Sequence, residues 1–315
     1  MTKPRKDTDY LFLSARIRSL EKDLLTSQRL EQLLQSPSVE NCSQLLGDLG
    51  YAPIRDEASL QSSLKRQREA VFAELERFMP EKQLLDVFRI KYDYHNIKVL
   101  LKAPEGAERL LMDAGTIPVS ELQRKYADGG NWQFLPRDIA EAAGAQRSDC
   151  LLDRACFQKL RQLAEESRCV YLQTYVRAMI DAANLRALVR AERMHMDPGF
   201  LQEVLFEGGS VTPDTIRAGA SEPAALFRST ALREAAELGE TAVKGGSLTD
   251  FEKACDNAVL RTAAGARRVP FGVEVALGYL IAKEAEWTAV RIVMAGRLAG
   301  LSADAIRERL RDTYV

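Results

Sequence analysis

The stretch "FRIKYDYHNIKVLLKA", from Phe88 to Ala103, aligns without gaps to "VRAMIDAANLRALVRA" (Val176 to Ala191) and to "IAKEAEWTAVRIVMAG" (Ile281 to Gly296). One column of the alignment holds Asp93, Asp181 and Glu286. A second, three residues on, holds Asn96, Asn184 and Ala289. A third holds Lys98, Arg186 and Arg291. A weaker copy near the start of the chain, "FLSARIRSLE" (Phe12 to Glu21), places Arg18 in the basic column. An internal repeat of this kind decides the fold before any single element does. Repeated helical units that cannot bury their apolar faces alone share cores with their neighbours.

Each copy leads into a small-residue turn and a short helix, here called a coda: "SPSVENCSQLLGDLG", "GTIPVSELQRKYADG", "GSVTPDTIRAGA" and "GLSADAIRERLRDTYV". The three later copies are also preceded by another amphipathic helix. The unit is therefore long helix, break, long helix, short helix. Apolar residues recur every three or four positions in Leu11–Gln35, Ser59–Met79, Leu151–Ala164, Tyr171–Arg193, Leu248–Ala264 and Val273–Leu298, which is the period of an amphipathic helix. Helix starts are expected at Ser38, Ser120, Thr212, Thr249 and Ser302. Breaks are expected at Pro80, Gly129–Gly130, Pro198–Gly199, Gly208–Gly209, Gly245–Gly246 and Pro270–Gly272. No alternating hairpin and no βαβ rhythm interrupts the pattern. The reading is all-α, with three similar helical-hairpin segments: 1–115 carrying the N-terminal helix and the first hairpin, 116–210 the second, and 211–315 the third with the C-terminal short helix.

Composition limits the function classes. The chain has 315 residues with 44 basic against 45 acidic side chains, so a nucleic-acid partner has no bulk electrostatic support. Five cysteines without a CxxC pair argue against a structural zinc site or a disulfide framework. Two histidines, His95 and His195, leave little for His-based catalysis or metal binding, and nothing calls for a cofactor. The most apolar run near the C-terminus, "VALGYLIA" (Val275 to Ala282), is closed by Lys283 and Glu284, far short of the roughly 20 apolar residues that span a bilayer.

Acid, amide and base at this spacing suggest an active site at first sight. Three copies in one chain point the other way, because a fold with threefold internal similarity needs the same polar ties three times. Five residues turn about 500° on a helix, so the acid and base of one copy do not face each other, and each is expected to reach a different neighbouring helix. Asp93, Asn96, Lys98, Asp181, Asn184, Arg186, Glu286 and Arg291 are therefore read as structural ties. His95, opposite Ala183 and Thr288, is read as locally satisfied, and His195 as a helix-end cation. Trp132 and Trp287 are read as packing residues. The codas carry clustered charge at Arg124, Lys125, Arg217, Arg307, Arg309 and Arg311, which makes them candidate partner contacts beside the plainer reading of a solvated helix face.

The segments "YLFLSARIRSLEKDLL", "LLDVFRIKYDYHNIKVLLKA" and "VPFGVEVALGYLIAKEAEWTAVRIVMAGRLAGLSADAIRERLRDTYV" together resemble the C subunits of bacterial and archaeal V-type (A/V-type) ATP synthases, counterparts of the eukaryotic V-ATPase d subunit. The last block is the most specific, with its Pro-Phe-Gly turn, Glu-plus-Arg pair and "IRERL…YV" terminus. The resemblance extends over essentially the whole chain. It implies an all-helical, non-catalytic protein of three similar domains arranged as a pseudo-threefold funnel or socket. It implies partners in the D and F subunits of the central stalk and in the membrane proteolipid ring, a cytoplasmic place peripheral to the membrane, and torque transmission in ATP-coupled ion transport. A generic α-helical repeat scaffold is the alternative. It accounts for the helices but not for the closing block, and the repeat interval is about twice that of common helical solenoids.

Overall fold

The computed structural model describes residues 5–103, 105–128 and 145–314, and among them the regular structure is helical, with no strand. In chain order the α-helices are α1 (Leu11–Leu20), α2 (Ser27–Gln35), α3 (Val39–Gly47), α4 (Glu57–Phe78), α5 (Asp86–Lys102) and α6 (Val119–Ala127). They continue as α7 (Ala145–Glu166), α8 (Val170–Arg193), α9 (Pro198–Val204), α10 (Pro213–Ala218), α11 (Pro223–Phe227) and α12 (Arg233–Val243). The last are α13 (Leu248–Ala263), α14 (Val273–Leu298) and α15 (Ala303–Arg307). Trp132 and the Gly129–Gly130 break lie outside the described residues.

The chain forms two compact units, one of Met1–Lys82 with Ser247–Val315, the other of Gln83–Gly246. This division follows spatial contact, whereas the boundaries at 115 and 210 follow repeat similarity. In the discontinuous unit, α14 is the axis, packed by α1, α3, α4 and α13. Most of its turns are covered: Leu277, Leu280, Val290, Val293 and Met294 are fully buried. A helix apolar on all sides belongs to an interior, and here protein covers "VALGYLIA". Among the described residues no helix is long and apolar enough to cross a membrane. In the continuous unit, α8 plays the same part, packed by α7, α9 and α12, while α5 packs on α7.

Helix starts follow local chemistry. Ser38, Thr212 and Ser302 cap α3, α10 and α15 with their side-chain oxygens, as the sequence suggests. Two expected starts move. The N-cap of α6 is Pro118 rather than Ser120, and that of α13 is Ser247 rather than Thr249, with Ser247 accepting the Asp250 N–H. The Leu11–Gln35 stretch is broken at 21–26, because two tertiary contacts outweigh its helical period. Arg18 donates to the carbonyls of Ala266 (3.0 Å) and Val269 (2.5 Å), and the Leu25 N–H is taken by Glu286.

Helix α8 ends in a Schellman turn. The Met196 N–H bonds the Ala191 carbonyl and the His195 N–H bonds that of Glu192, with His195 at φ 50°. That position favours glycine, since an L side chain is disfavoured in the left-handed region. His195→Gly is expected to stabilise the protein by about 1 kcal/mol, read as a raised urea-unfolding midpoint with an unchanged m-value.

Candidate functional site

The two aspartates of the repeat are buried, Asp93 at 0% and Asp181 at 2% exposure. Each sits mid-helix and accepts from the turn that follows its own helix. Asp93 receives the Thr116 N–H (3.0 Å), the Thr116 hydroxyl (2.6 Å) and the Ile117 N–H (3.1 Å). Asp181 receives the Ser210 N–H (2.7 Å) and the Val211 N–H (3.4 Å). The partner is thus a turn, not the neighbouring helix that the five-residue spacing suggests. The asparagines complete the grip. Asn96 donates to the Met112 carbonyl and accepts its N–H, both at 2.8 Å, and Asn184 does the same with Phe206 at 2.8 Å.

The turns are matched as closely as the helices. Met112, Gly115, Thr116 and Ile117 correspond to Phe206, Gly209, Ser210 and Val211, each set leading into the N-cap of a short coda helix, Pro118 or Thr212. The glycine is dictated by close approach. A Cβ on Gly115 would lie 1.9 Å from an Asp93 carboxylate oxygen, and one on Gly209 would lie 2.4 Å from the equivalent oxygen of Asp181. Both codas begin Gly-(Thr/Ser)-(Ile/Val) in the sequence, yet their composition alone does not link them to the acid column. The ungapped match of turn to turn is the signal of that link.

Glu286, 4% exposed, makes the corresponding bond with a different part of the chain. Its carboxylate accepts the Leu25 N–H (2.9 Å), one residue before Thr26, the N-cap of α2. Ile117, Val211 and Leu25 each stand one residue ahead of a helix N-cap. All three acids therefore hold the same backbone N–H of a helix start, but the third reaches the N-terminal segment. Glu286 also accepts from the Tyr51 hydroxyl (2.7 Å) and from Lys283 (2.5 Å), itself 4% exposed. Burial, then the Glu286 charge, pushes the Tyr51 hydroxyl well above its ordinary range, so it donates at all physiological pH.

In the basic column Lys98 pairs with Asp153 on α7 at 2.7 Å, and Arg186 and Arg291 are not free either. His95 donates from Nε2 to the Leu110 carbonyl at 3.0 Å. Trp287 is buried in the discontinuous unit, with the Arg68 guanidinium 5.5 Å from its ring centroid. The five thiols are free, and burial pushes Cys156 up to about 12, which leaves it protonated and unreactive. Among the described residues no cluster of His, Cys, Asp or Glu is placed to hold a metal ion.

The coda charges are largely spent within the chain. Lys125 pairs with Glu121 at 2.9 Å, Arg217 with Asp214, Arg307 with Glu31 at 2.7 Å and with Asp304, and Arg311 with Asp256 at 2.8 Å. Arg124 and Arg309 do not share in these pairs, and both are exposed.

Asp93→Ala strands buried donors at a cost of about 1–3 kcal/mol. Gly115→Ala fails because of the Asp93 carboxylate, so the double variant is expected to be clearly less destabilised than the sum of the singles. A thermodynamic cycle from urea unfolding measures the coupling. A second expectation concerns pH. Burial raises the Asp93 and Asp181 carboxyls above the ordinary aspartate range, outweighing the hydrogen bonds they accept. With a raised folded-state pKa, the native state holds more protons, and the contribution to stability is fully present below about pH 4 and is lost as pH rises through the raised value. The stability gap between the parent and Asp93→Asn/Asp181→Asn is therefore expected to be largest at the acid end and to shrink toward neutrality. Unfolding curves at several pH values measure it.

Residues 13–309 match the family described as ATP synthase (C/AC39) subunit. The C subunit of the V-type sodium ATPase of Enterococcus hirae is 26% identical over 327 residues, covering 97% of this chain and 99% of that protein. The C subunit of the A-type ATP synthase of Methanocaldococcus jannaschii is 25% identical over 342 residues, covering 96% of this chain and 86% of that protein. Its counterpart in the A-type ATP synthase of Thermococcus gammatolerans is 25% identical over 337 residues, covering 96% of this chain and 90% of that protein. With a match that takes in nearly all of its length, the chain belongs to the ATP synthase (C/AC39) subunit family and is a subunit of a V/A-type rotary ATPase.

Proposed function

We propose that this protein is the non-catalytic rotor adaptor of its complex, joining the D and F subunits of the central stalk to the membrane proteolipid ring. In this role it sits on the cytoplasmic side, peripheral to the membrane, and passes torque between ATP chemistry and ion transport. The observation that carries the reading is the family match from residue 13 to 309, which leaves little of the chain for another activity.

The geometry supports the mechanical part. A torque-bearing adaptor needs its joints held under load, and the weakest joints of a helical protein are the turns between helices. Here a buried carboxylate grips the N–H ahead of a helix N-cap in each of the three repeat copies. Each such bond satisfies an N–H that a turn pressed against the core could not leave to water. We read Asp93, Asn96, Lys98, Asp181, Asn184, Arg186, Glu286 and Arg291 as structural ties of three repeats, 1–115, 116–210 and 211–315, in a pseudo-threefold socket. A repeated body of this kind offers similar surfaces to a ring of identical subunits.

The codas are the proposed contact surfaces. Because Lys125, Arg217, Arg307 and Arg311 already have intramolecular acid partners, Arg124 and Arg309 are the cleanest probes. Tagged protein, drawn from detergent-solubilised membranes, is expected to bring down stalk and proteolipid subunits together. Arg124→Glu/Arg309→Glu is expected to stay folded by circular dichroism and to recover markedly less of one or both. Recovery of neither stalk nor ring by the parent protein would overturn the adaptor reading. Full recovery by the double variant would remove these two arginines from the contact surface.

A further inference from the structure

The third repeat departs from the other two at one position. Where Asn96 and Asn184 each make two backbone hydrogen bonds, the third copy has Ala289. Beside it lies a small cavity of about 10 Å³, lined by Ala289, Glu286, Leu25 and the C-terminal residues Asp312, Thr313 and Tyr314. Residues 312–314 therefore lie beside the position where the third copy lacks the asparagine.

The C-terminal segment is built as a strap. Leu310 and Tyr314 are buried, at 4% and 6% exposure, and act as its apolar anchors. Its polar fastenings are few: besides a long buried bond from the Tyr314 hydroxyl to the Ala263 carbonyl (3.5 Å), they are part-buried or exposed. Arg311 pairs with Asp256, and the Asp312 N–H donates to Asn257 (2.9 Å). Arg267 donates to the Tyr314 carbonyl (3.2 Å), and the hydroxyls of Ser27 and Thr313 share a hydrogen bond (2.7 Å). Surface ion pairs contribute little. A segment with two apolar anchors and few fastenings is where local opening occurs at low cost. By contrast, the asparagine ties of the other two copies are built into the middle of long helices.

We propose that residues 310–314 close the third repeat in place of the asparagine tie, and that their local release opens the bond between Glu286 and the Leu25 N–H while the rest of the unit stays folded. The strap makes the third joint releasable where the first two are permanent. It gives the protein a hinge between its N-terminal segment and α14 that the equivalent turns at Thr116 and Ser210 lack. Water reaching the cavity would compete for the Glu286 carboxylate, and the α2 start would lose its hold.

Hydrogen–deuterium exchange on the full-length chain tests this. Asn257→Ala/Arg311→Ala removes two fastenings without touching Glu286, Leu25 or Tyr51. It is expected to speed exchange at Leu25 at least tenfold and to leave Ile117 and Val211, which hold the equivalent position, unchanged. Adding Ala289→Asn to this variant restores the asparagine and is expected to return most of the lost protection at Leu25. Release of the strap amides with Leu25 unaffected would overturn the proposal. So would a uniform rise in exchange throughout the chain, which is global destabilisation rather than local opening.

Discussion

A buried carboxylate holding the backbone N–H one residue ahead of a helix N-cap is the interaction on which the rest of this structure depends. Every helix start leaves N–H groups unsatisfied, and a turn that is pressed against a core cannot leave them to water. Asp93 and Asp181 meet that need from the middle of α5 and α8, and so fix where the chain turns back and which direction the coda helix takes. The cost is the burial of a charge, visible in carboxyls pushed above their ordinary range. The donors on the turn offset it, and the glycine at 115 or 209 lets the turn approach closely enough to supply them. Acid, glycine and hydroxyl residue form one device.

In the discontinuous unit the same bond draws the two ends of the chain together. Glu286 reaches one methylene further than an aspartate, and it takes on three partners: Lys283, Tyr51 and the Leu25 N–H. A buried ion pair is weak support for stability on its own, because desolvating two charges consumes most of their attraction. Its better-attested use is to specify a register. With Tyr51 and Leu25 both committed to one carboxylate, α14 can meet the N-terminal segment in one alignment only. This is why a helix as apolar as α14 has a lysine and a glutamate buried near its centre.

Charge on the coda helices follows another logic. Arg217 with Asp214 and Arg307 with Asp304 are neighbours on a helix, and Arg311 with Asp256 and Arg307 with Glu31 fasten the C-terminal segment. Most of the positive charge that stands out in the sequence is thus neutralised within the chain. A protein with near-equal numbers of acidic and basic residues meets charged partners through local patches.

Much was legible without coordinates. The 3.6-residue period sets the helices, and α14 begins and ends at the residues expected, Val273 and Leu298. The ungapped repeat singles out Asp93, Asn96, Asp181, Asn184 and Glu286, because the same polar residues recurring in otherwise apolar helix positions must be answering the same local need. The sequence by itself could also suggest the family, since that depends on the order of motifs along the chain. Only the tertiary structure decided what those residues hold. Helical spacing tells which way a side chain leaves its own helix, but not which backbone stands opposite it. The turn partners of Asp93 and Asp181 lie 23 and 29 residues on, and the partner of Glu286 lies 261 residues away at the other end of the chain. The break of Leu11–Gln35 at Leu24–Leu25 has the same origin. Its local pattern favours a helix, and long-range bonds from Arg18 and Glu286, which carry no signature in the local sequence, decide against it.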